Sequence, residues 1–276
     1  MGTVVEDTAP DGDTGRTSAL ASSVVWRAGT LLELLSHSDA GVGVREAARL
    51  TGIDRSAVSR LLTQLEEIGW VAQERDRGLY TVGPRLFAVG AAVRARDTLW
   101  NAAEPILERL VDRHGETCYL TVRHDHQVVF REKVDCSHRI RYVVELGASF
   151  DLTTGAAGRA ILSGMADADV EEVLAAGLLS HTPRSITDAD VYRRQIAEDR
   201  RLGYSVSVRR WIEDGAGVAS PFFDAAGDCV GALTLSCPAD RLPDRLIPEI
   251  GRSMLDAGRE LSARLGSSVR WGETAA

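Results

Sequence analysis

The chain has 276 residues, of which 44% are hydrophobic and 26% are charged, with a formal net charge of −8 at pH 7. This length favours two globular domains, and no apolar run approaches the roughly 18 residues of a bilayer-spanning helix, so we expect no membrane partner. Residues 1–20 are rich in Asp, Gly and Thr and lack the apolar core of a signal peptide. We therefore expect a disordered acidic tail there and a cytoplasmic location for the chain.

The net charge opposes nucleic-acid binding, but the distribution of charge along the chain does not. Residues 21–98 carry ten arginines against nine acidic residues, so this segment has a net charge of +1. Lys133 is the only lysine, so arginine would have to make any phosphate contacts. The cysteines lie in none of the short spacings of a zinc or redox motif, and we expect reduced thiols. They are Cys118, Cys136, Cys229 and Cys237.

The first domain is predicted over residues 21–83, from three helical patterns followed by a hairpin. Gly52 lies in a tight turn between the second and third helices, and Asp54 is a good N-cap for the third. Two short strands over residues 70–73 and 79–82 flank a charged tip. This order is that of a winged helix-turn-helix, which binds DNA. The helical patterns cover residues 23–36, 44–50 and 54–68.

The third helix is the predicted recognition helix, because it has one apolar face to bury and one polar face to offer to the major groove. Hydroxyl side chains and the helix N-terminus can hold phosphate, and an arginine can read guanine with two hydrogen bonds. Arginines at the hairpin tip can reach the neighbouring backbone or minor groove. The predicted DNA-binding residues are Arg45, Arg55, Ser56, Ser59, Arg60, Thr63, Arg75 and Arg77.

A linker helix is predicted over residues 84–100, after the break at Gly83, and Pro105 suits the first turn of the helix that follows.

The later segments alternate strand and helix patterns, with Thr187 and Asp190 as a capping box. Hairpin connections between the strands predict an antiparallel sheet and an α+β fold. Strands are predicted over residues 119–123, 128–134, 140–144, 204–208, 217–223 and 230–237, and helices over 156–165, 170–177, 187–202 and 247–265.

Nine short motifs, in order from about Val24 to Leu265, resemble the IclR (isocitrate lyase regulator) family. In the first domain they are VREAA at 44–48, TGI at 51–53, SAVSRLL at 56–62 and YTVGP at 80–84. Beyond it they are PILERL at 105–110, GET at 115–117, TGAAGRA at 154–160, LGY at 202–204 and VGALTLS at 230–236. Each motif is weak alone, and it is their order and spacing that make the resemblance specific.

The resemblance implies a GAF-like effector domain, placed over residues 101–268 with a tail over 269–276, and an effector held in a cup on the sheet. Tyr142 and Val144 would form an apolar wall. Ala156 and Ala157 would offer backbone amides to an anion at a helix start. Thr234 and Ser236 lie two apart on one strand, so both hydroxyls would face the cup.

Two departures from the family pattern affect the chemistry of this pocket. Where family members often carry acidic residues after the Gly-Tyr strand, this chain has Ser207 and Val208 followed by Arg209 and Arg210. A cysteine frequent in the family is replaced by Gly217. The two arginines would favour a carboxylate ligand if they faced the pocket, or else lie on a solvent-facing loop. Ser207 and Gly217 complete the predicted effector-binding set.

These observations predict a ligand-responsive DNA-binding regulator whose effector is a small organic or aromatic acid, without a cofactor. Two alternatives stay open: a metal sensor that uses the His and Cys residues between positions 114 and 138, and a non-catalytic GAF-like scaffold. Catalysis is not expected, because no nucleophile elbow or phosphate loop occurs. A homodimer or homotetramer is expected, because the linker helix carries an apolar stripe that one domain need not cover. This stripe comprises Leu86, Val89, Gly90 and Val93.

Overall fold

The computed structural model describes residues 23–38, 40–74 and 76–272. The chain divides into two compact units between Asp97 and Thr98, and each has its own hydrophobic core. The tail predicted over residues 1–20, the last four residues and Arg75 lie outside the described residues.

The smaller unit packs helices against a three-stranded antiparallel sheet of order β1-β3-β2. Its helices are α1 (Val24–Ser36), α2 (Val44–Thr51), α3 (Arg55–Glu67) and α4 (Pro84–Ala95), and its strands are β1 (Val42–Gly43), β2 (Val71–Glu74) and β3 (Leu79–Val82). β1 replaces part of a predicted loop, and its two residues are too few to show a periodic pattern. The first three helices share one core, which includes Leu31, Leu35, Ala47, Val58 and Leu62.

The turn between α2 and α3 forms as the sequence predicts. Gly52 adopts a φ of +69°, the left-handed conformation that ends α2. The Asp54 carboxylate then caps α3 by accepting hydrogen bonds from the backbone N–H groups of Ser56 and Ala57. A hydrogen bond from the Ser56 hydroxyl, together with these backbone bonds, holds the pKa of Asp54 below its ordinary value. The predicted winged helix-turn-helix is therefore confirmed.

The larger unit contains one six-stranded sheet of order β6-β5-β4-β9-β8-β7, in which all neighbouring strands are antiparallel. This confirms the predicted α+β class. Its helices are α5 (Thr98–His114), α6 (Gly155–Gly164), α7 (Asp167–Ala175), α8 (Ala189–Leu202) and α9 (Ile247–Arg264). Its strands are β4 (Thr117–His124), β5 (Gln127–Val134), β6 (Ser149–Asp151), β7 (Ser205–Val208), β8 (Gly215–Phe223) and β9 (Cys229–Pro238).

Helices cover both faces of this sheet and give the unit two cores. α5 and α9 pack on one face, where they bury Leu120, Leu233 and Leu235. α6 packs on the opposite face above Ala219 and Ala232, and α7 and α8 join it in the second core. Successive residues of β9 therefore belong to different layers, as the two-residue period of a strand requires.

The predicted linker helix is wrong at its end, because α4 stops at Ala95 and α5 begins at Thr98. Pro105 then lies inside α5 rather than in its first turn. An interior proline opposes a helix by about 3 kcal/mol. The buried side chains before and after it form one continuous stripe, and each large one stabilises the helix by about 1.5–3 kcal/mol. This stripe comprises Trp100, Ala103, Ile106, Leu107 and Leu110.

Residues 140–144 do not form the predicted strand. Ile140 is 77% exposed, so the alternating residues of this segment do not share a buried face. Instead, the hydroxyl of Tyr119 on β4 accepts a hydrogen bond from the Val144 N–H at 3.0 Å and donates one to the Tyr142 carbonyl at 3.4 Å. A side chain from the middle of the sheet thus holds an irregular segment in place of a strand partner.

Three smaller differences concern element ends. Asp188, rather than Thr187, caps α8 by accepting a hydrogen bond from the Val191 N–H. The three-residue strand β6 was not predicted, because it is too short to show alternation. Where a tail was expected, the Trp271 indole N–H donates to the Gly203 carbonyl at 2.9 Å, so this segment packs on the larger unit.

A buried ion pair joins α6 to α8. Arg159 Nε donates to Asp199 Oδ2 at 2.5 Å, and the two side chains are 3% and 2% exposed. Arg159 also donates to the Val206 carbonyl on β7, and the Gln195 amide donates to Asp199 Oδ1 at 3.3 Å. Removal of either ion would leave the other charged, buried and unpaired, which is strongly unfavourable even where the pair itself adds little net stability.

We expect Asp199→Asn to lower the free energy of unfolding by about 3–5 kcal/mol, measured by urea denaturation. The matched control is Glu198→Gln, which breaks the exposed pair with Arg201 on the same helix. That control should unfold at nearly the same urea concentration as the wild type, because solvent screens the exposed pair. Equal losses in the two variants would show that burial of the Arg159–Asp199 pair has no special weight.

Candidate functional site

The polar face of α3 is formed as predicted. Arg55, Ser59 and Arg60 are exposed, while Val58 and Leu62 on the opposite side are buried. Among the described residues, none accepts a hydrogen bond from, or forms an ion pair with, the guanidinium groups of Arg55 and Arg60. Both arginines are therefore available to an external phosphate or base.

The hydroxyl groups on this face differ in what they can donate. The Ser56 hydroxyl donates to Asp54 at 2.6 Å, and the Thr63 hydroxyl donates to the Ser59 carbonyl at 3.0 Å. The Ser59 hydroxyl makes no hydrogen bond to another described residue. Ser59 is thus the hydroxyl of the predicted set whose proton is available for a phosphate oxygen. Gln64, one turn after Arg60, is also exposed on α3 and was not predicted.

The remaining predicted DNA-binding arginines lie outside α3. Arg45 is exposed on α2, and Arg77 is exposed beside the turn between β2 and β3. Arg77 Nη1 lies 3.4 Å from Glu74 Oε2, so its charge is partly balanced. Arg75 lies outside the described residues and stays a prediction.

Most of the predicted effector residues surround one cavity of the larger unit, with a volume of about 530 Å³ including its open mouth. Three of them form a row across neighbouring strands, since Ser207 on β7 pairs with Gly217 on β8, which pairs with Ser236 on β9. Thr234 lies two residues before Ser236 and also lines the cavity. The predicted common direction of Thr234 and Ser236 therefore agrees with the structure.

The absence of a side chain at Gly217 brings the cavity floor close to α6. A Cβ atom at this position would lie 3.2 Å from the Leu235 carbonyl oxygen and 3.5 Å from the Ala156 Cβ. A side chain at this position, such as the cysteine frequent in the family, would therefore require β9 or α6 to shift by a few tenths of an ångström.

The start of α6 forms a second side of the cavity. Gly155, Ala156 and Ala157 line it, and Thr154, the N-cap residue, makes no side-chain hydrogen bond to the helix. The Thr154 hydroxyl instead lies 3.3 Å from His181 Nε2. The first amides of α6 thus have no side-chain acceptor and carry the partial positive charge of a helix start.

The hydroxyl of Thr234 has no partner. This side chain is 4% exposed, and its Oγ1 makes no hydrogen bond to any described residue. Buried polar groups in proteins are nearly always hydrogen-bonded, and an unsatisfied one opposes folding by about 1–3 kcal/mol. A buried, unpaired hydroxyl on a residue that lines a cavity makes Thr234 a candidate ligand-binding residue.

The cavity has an aromatic wall that was not predicted. The ring of Trp211 stacks on Phe130 with centroids 6.0 Å apart and meets Phe150 edge-on at 4.9 Å. These rings come from β5, from β6 and from the loop after β7, so nothing in their sequence spacing could bring them together. No Asp, Glu, Lys, Arg or His is among the described residues that line the cavity.

The two residues predicted to form an apolar wall, Tyr142 and Val144, lie in different places. Tyr142 lines the cavity, and partial burial raises the pKa of its hydroxyl above the ordinary value. Val144 is 2% exposed but lies in the second core rather than at the cavity surface. Val144 therefore does not line this cavity, because the segment is irregular and alternate residues do not share one face, and its role in effector binding stays a prediction.

The two arginines after β7 also differ. Arg209 pairs with Asp214 at 3.0 Å and with Asp240 at 2.6 Å, so its charge is balanced at the surface. Arg210 does not line the aromatic cavity but a second cavity beside it.

The structure does not support the metal-sensing alternative. Within the described ranges, no three His, Cys, Asp or Glu side chains converge as metal ligands would. His126 lies beside Glu172 at 3.6 Å, whereas the Cys136 N–H donates to the Thr117 hydroxyl at 3.2 Å inside the fold. Burial raises the pKa of the Cys118 thiol well above its ordinary value, which disfavours the thiolate that a metal would bind.

None of the helices that the structure describes has both the length and the apolar character needed to cross a membrane.

Comparison with known proteins places both units in one family. Residues 24–75 match the profile of the IclR helix-turn-helix domain, and residues 91–263 match that of the bacterial transcriptional regulator IclR C-terminal domain. The acetate operon repressor of Salmonella typhimurium is 29% identical over 241 residues, which cover 86% of this chain and 88% of the repressor.

Solved structures show the same fold. The Thermotoga maritima IclR structure has a TM-score of 0.77 and 27% identity, covering 88% of this chain and 98% of its own. An IclR homologue from Microbacterium hydrocarbonoxydans, crystallised in complex with 4-hydroxybenzoate, has a TM-score of 0.74 and 21% identity, covering 88% and 99%. With its DNA-reading helix and sheet-borne cavity, this chain belongs to the IclR family of bacterial transcriptional regulators.

Proposed function

We propose that this protein is a cytoplasmic repressor whose binding to operator DNA responds to a small monocarboxylic aromatic acid. The observation that carries the effector proposal is the unpaired Thr234 hydroxyl in an uncharged, aromatic-walled cavity beside the start of α6. The repressor assignment is supported by the Salmonella typhimurium relative, which is an acetate operon repressor.

Each part of the cavity matches one part of such a ligand. Phe130, Phe150 and Trp211 offer ring faces and edges to an aromatic body. The first amides of α6 and the Thr234 hydroxyl can donate hydrogen bonds to one carboxylate. The homologue that binds 4-hydroxybenzoate is a precedent for an aromatic acid on this fold.

Regulation requires only that the acid bind the DNA-competent and DNA-incompetent states with different affinities. α6 is a suitable sensor of occupancy, because its start lines the cavity and its Arg159 is tied to α8 and to β7. No catalytic step is part of this proposal, and the acid is released unchanged.

Replacement of the cavity hydroxyls should abolish the response. We expect the double variant Thr234→Val with Ser236→Ala to bind operator DNA normally but to lose at least about tenfold in affinity for 4-hydroxybenzoate or a related aromatic acid. Calorimetric titration of the full chain measures the affinity, and a gel shift with and without the acid measures the response. An unchanged affinity would show that the acid binds elsewhere.

Thr121→Val is the matched control for Thr234→Val. The Thr121 hydroxyl donates to the Ala232 carbonyl at 2.8 Å in the same sheet, away from the cavity lining. Loss of that bond should lower stability by about 1 kcal/mol without changing acid affinity. Thr234→Val should instead leave the stability of the ligand-free protein unchanged or raise it, because it removes an unsatisfied hydroxyl.

The DNA-reading face is tested with Arg60→Ala. This exposed arginine contributes no packing, so the variant should fold normally and lose about 1–3 kcal/mol of operator affinity if Arg60 contacts a base, with relaxed specificity at one position. A phosphate contact would instead weaken all sequences alike and reduce the salt dependence of binding. Arg113→Ala removes the same charge from the larger unit and should leave operator affinity unchanged. Wild-type affinity in Arg60→Ala would contradict the recognition-helix assignment.

We further propose that the chain binds DNA as a homodimer or a tetramer built from dimers, with α4 contributing to the dimer interface. No side chain of α4 is buried within its own chain, and Phe87, Val89 and Val93 are 69%, 46% and 64% exposed. Apolar residues clustered in this way typically mark an association surface. Light scattering at micromolar concentration should report at least a dimer, and Phe87→Ser with Val93→Ser should weaken it. A wild-type monomer would exclude this assembly.

A further inference from the structure

A second cavity lies beside the aromatic one in the larger unit. It has a volume of about 320 Å³, and the two cavities share Gly155 and Ser207 in their linings. The lining of the second cavity is cationic, because it includes Arg159, Arg210 and His181. The aromatic cavity has no ionisable Asp, Glu, Lys, Arg or His among its described lining residues, so the two sites differ in the ligand chemistry that they favour.

The charges around the second cavity do not balance. Arg159 and Arg210 both interact electrostatically with the one carboxylate of Asp199. Arg159 forms the direct ion pair with Asp199. Among the described residues, the Arg210 guanidinium donates only to the neutral Gln195 amide, with Nη1 3.3 Å from its Oε1. Burial and repulsion from Arg159 lower the pKa of Arg210 below its ordinary value. Two guanidinium groups, of Arg159 and Arg210, thus share one carboxylate, so these three residues carry one positive charge in excess.

The backbone around Arg210 is firmly held. Arg209 has a φ of +58°, a left-handed conformation that non-glycine residues rarely adopt. The Thr182 hydroxyl donates to the Arg209 carbonyl at 2.8 Å, and the Ser185 hydroxyl donates to the Arg210 carbonyl at 2.8 Å. Salt bridges from Arg209 to Asp214 and Asp240 fix the other side of this turn. Arg210 is thus kept at the cavity although its charge is repelled there, which is typical of a functional rather than a stabilising residue.

We propose that the second cavity is an anion site that takes a carboxylate or phosphate group, with Arg210 as its principal cation. A bound anion would balance the excess charge of the cluster. It could accept hydrogen bonds from the Arg210 guanidinium and from Arg159 Nη1, which has no acceptor among the described residues. Such a group could arrive as a separate small anion or as a second acid group of the effector. The site does not depend on the proposed DNA-binding function.

The test is a calorimetric titration of the full chain with inorganic phosphate at constant ionic strength. We expect saturable binding of one phosphate per chain in the wild type. Arg210→Gln should weaken it by at least about tenfold, and Arg210→Lys, which keeps the charge but not the planar fork, should lie between the two. Arg184→Gln is the matched control, because Arg184 is exposed on the neighbouring loop and does not line the cavity, and it should bind phosphate like the wild type.

A second measurement separates binding from structure. The melting temperature of ligand-free Arg210→Gln should equal or exceed that of the wild type, because the variant removes an unbalanced charge. A lower melting temperature, with phosphate affinity unchanged, would make Arg210 a structural residue and overturn the proposal. Absence of saturable phosphate binding, or equal binding by wild type and Arg210→Gln, would also overturn it. Loss of phosphate binding in Thr234→Val but not in Arg210→Gln would place the anion in the aromatic cavity instead.

A final comparison identifies the source of the anion. Terephthalate carries two carboxylates on a benzene ring, and benzoate carries one. If one effector spans both cavities, Arg210→Gln should reduce terephthalate affinity by at least about tenfold and leave benzoate affinity unchanged. If the anion is separate, Arg210→Gln should affect phosphate alone, and both results support an anion site at Arg210. These titrations measure anion affinity and do not require operator DNA. Absence of an anion site and absence of operator binding would therefore be observed separately.

Discussion

Burial of both faces of the six-stranded sheet is the constraint on which the larger unit depends. β9 runs through the middle of this sheet, and its alternate residues must serve two different layers. Leu233 and Leu235 pack beneath α5 and α9, while Thr234 and Ser236 face α6. If all four were apolar, the α6 layer could close directly on the sheet. Hydroxyls and a glycine in that layer leave a cavity at the one place where a helix begins above it.

The two cavities hold unfavourable groups of different kinds, and each kind indicates a different ligand chemistry. An unpaired hydroxyl in an aromatic setting favours a ligand with a flat body and one acceptor group. An excess guanidinium charge favours an anion. Proteins commonly keep such groups where function needs them and compensate elsewhere. In this unit the compensation includes the aromatic contacts of Trp211, whose ring lines the same cavity as Thr234.

In the smaller unit, burial and hydrogen bonding decide which side chains of α3 remain available to bind DNA. Its helix α3 has a buried face that orients it and an exposed face whose Arg55 and Arg60 guanidinium groups form no hydrogen bond or ion pair with any described residue. Within that face, Ser56 and Thr63 use their hydroxyl protons to support the helix itself, and Ser59 does not. Side chains of similar chemistry on one helix face therefore have unequal capacity to hold phosphate.

The sequence by itself determined the helix-turn-helix and the hairpin of the smaller unit, the antiparallel sheet of the larger unit, and the common direction of Thr234 and Ser236, but not the two-residue strand β1. These features depend on local rules: a glycine at a positive φ, an Asp at a helix start and a two-residue period along a strand. These local rules fail at residues 140–144. Their alternation predicts a strand, but in the structure the distant hydroxyl of Tyr119 hydrogen-bonds to the backbone of an irregular segment. The interior of α5 shows the same for Pro105, whose unfavourable position is outweighed by burial of the side chains before and after it.

Only the tertiary structure decided which residues surround the two cavities. Phe130, Phe150 and Trp211 are far apart in the chain, and no periodicity connects them. Arg209 is paired with an acidic residue, whereas Arg210 lines the second cavity. Hydroxyl groups of the neighbouring segment at 182–185 hold the backbone carbonyls of both arginines. Sequence patterns report which face of an element is buried, because that face is set by the geometry of one helix or strand. Which element lies opposite that face is set by chain packing over long separations, and this is what turns scattered residues into a binding site.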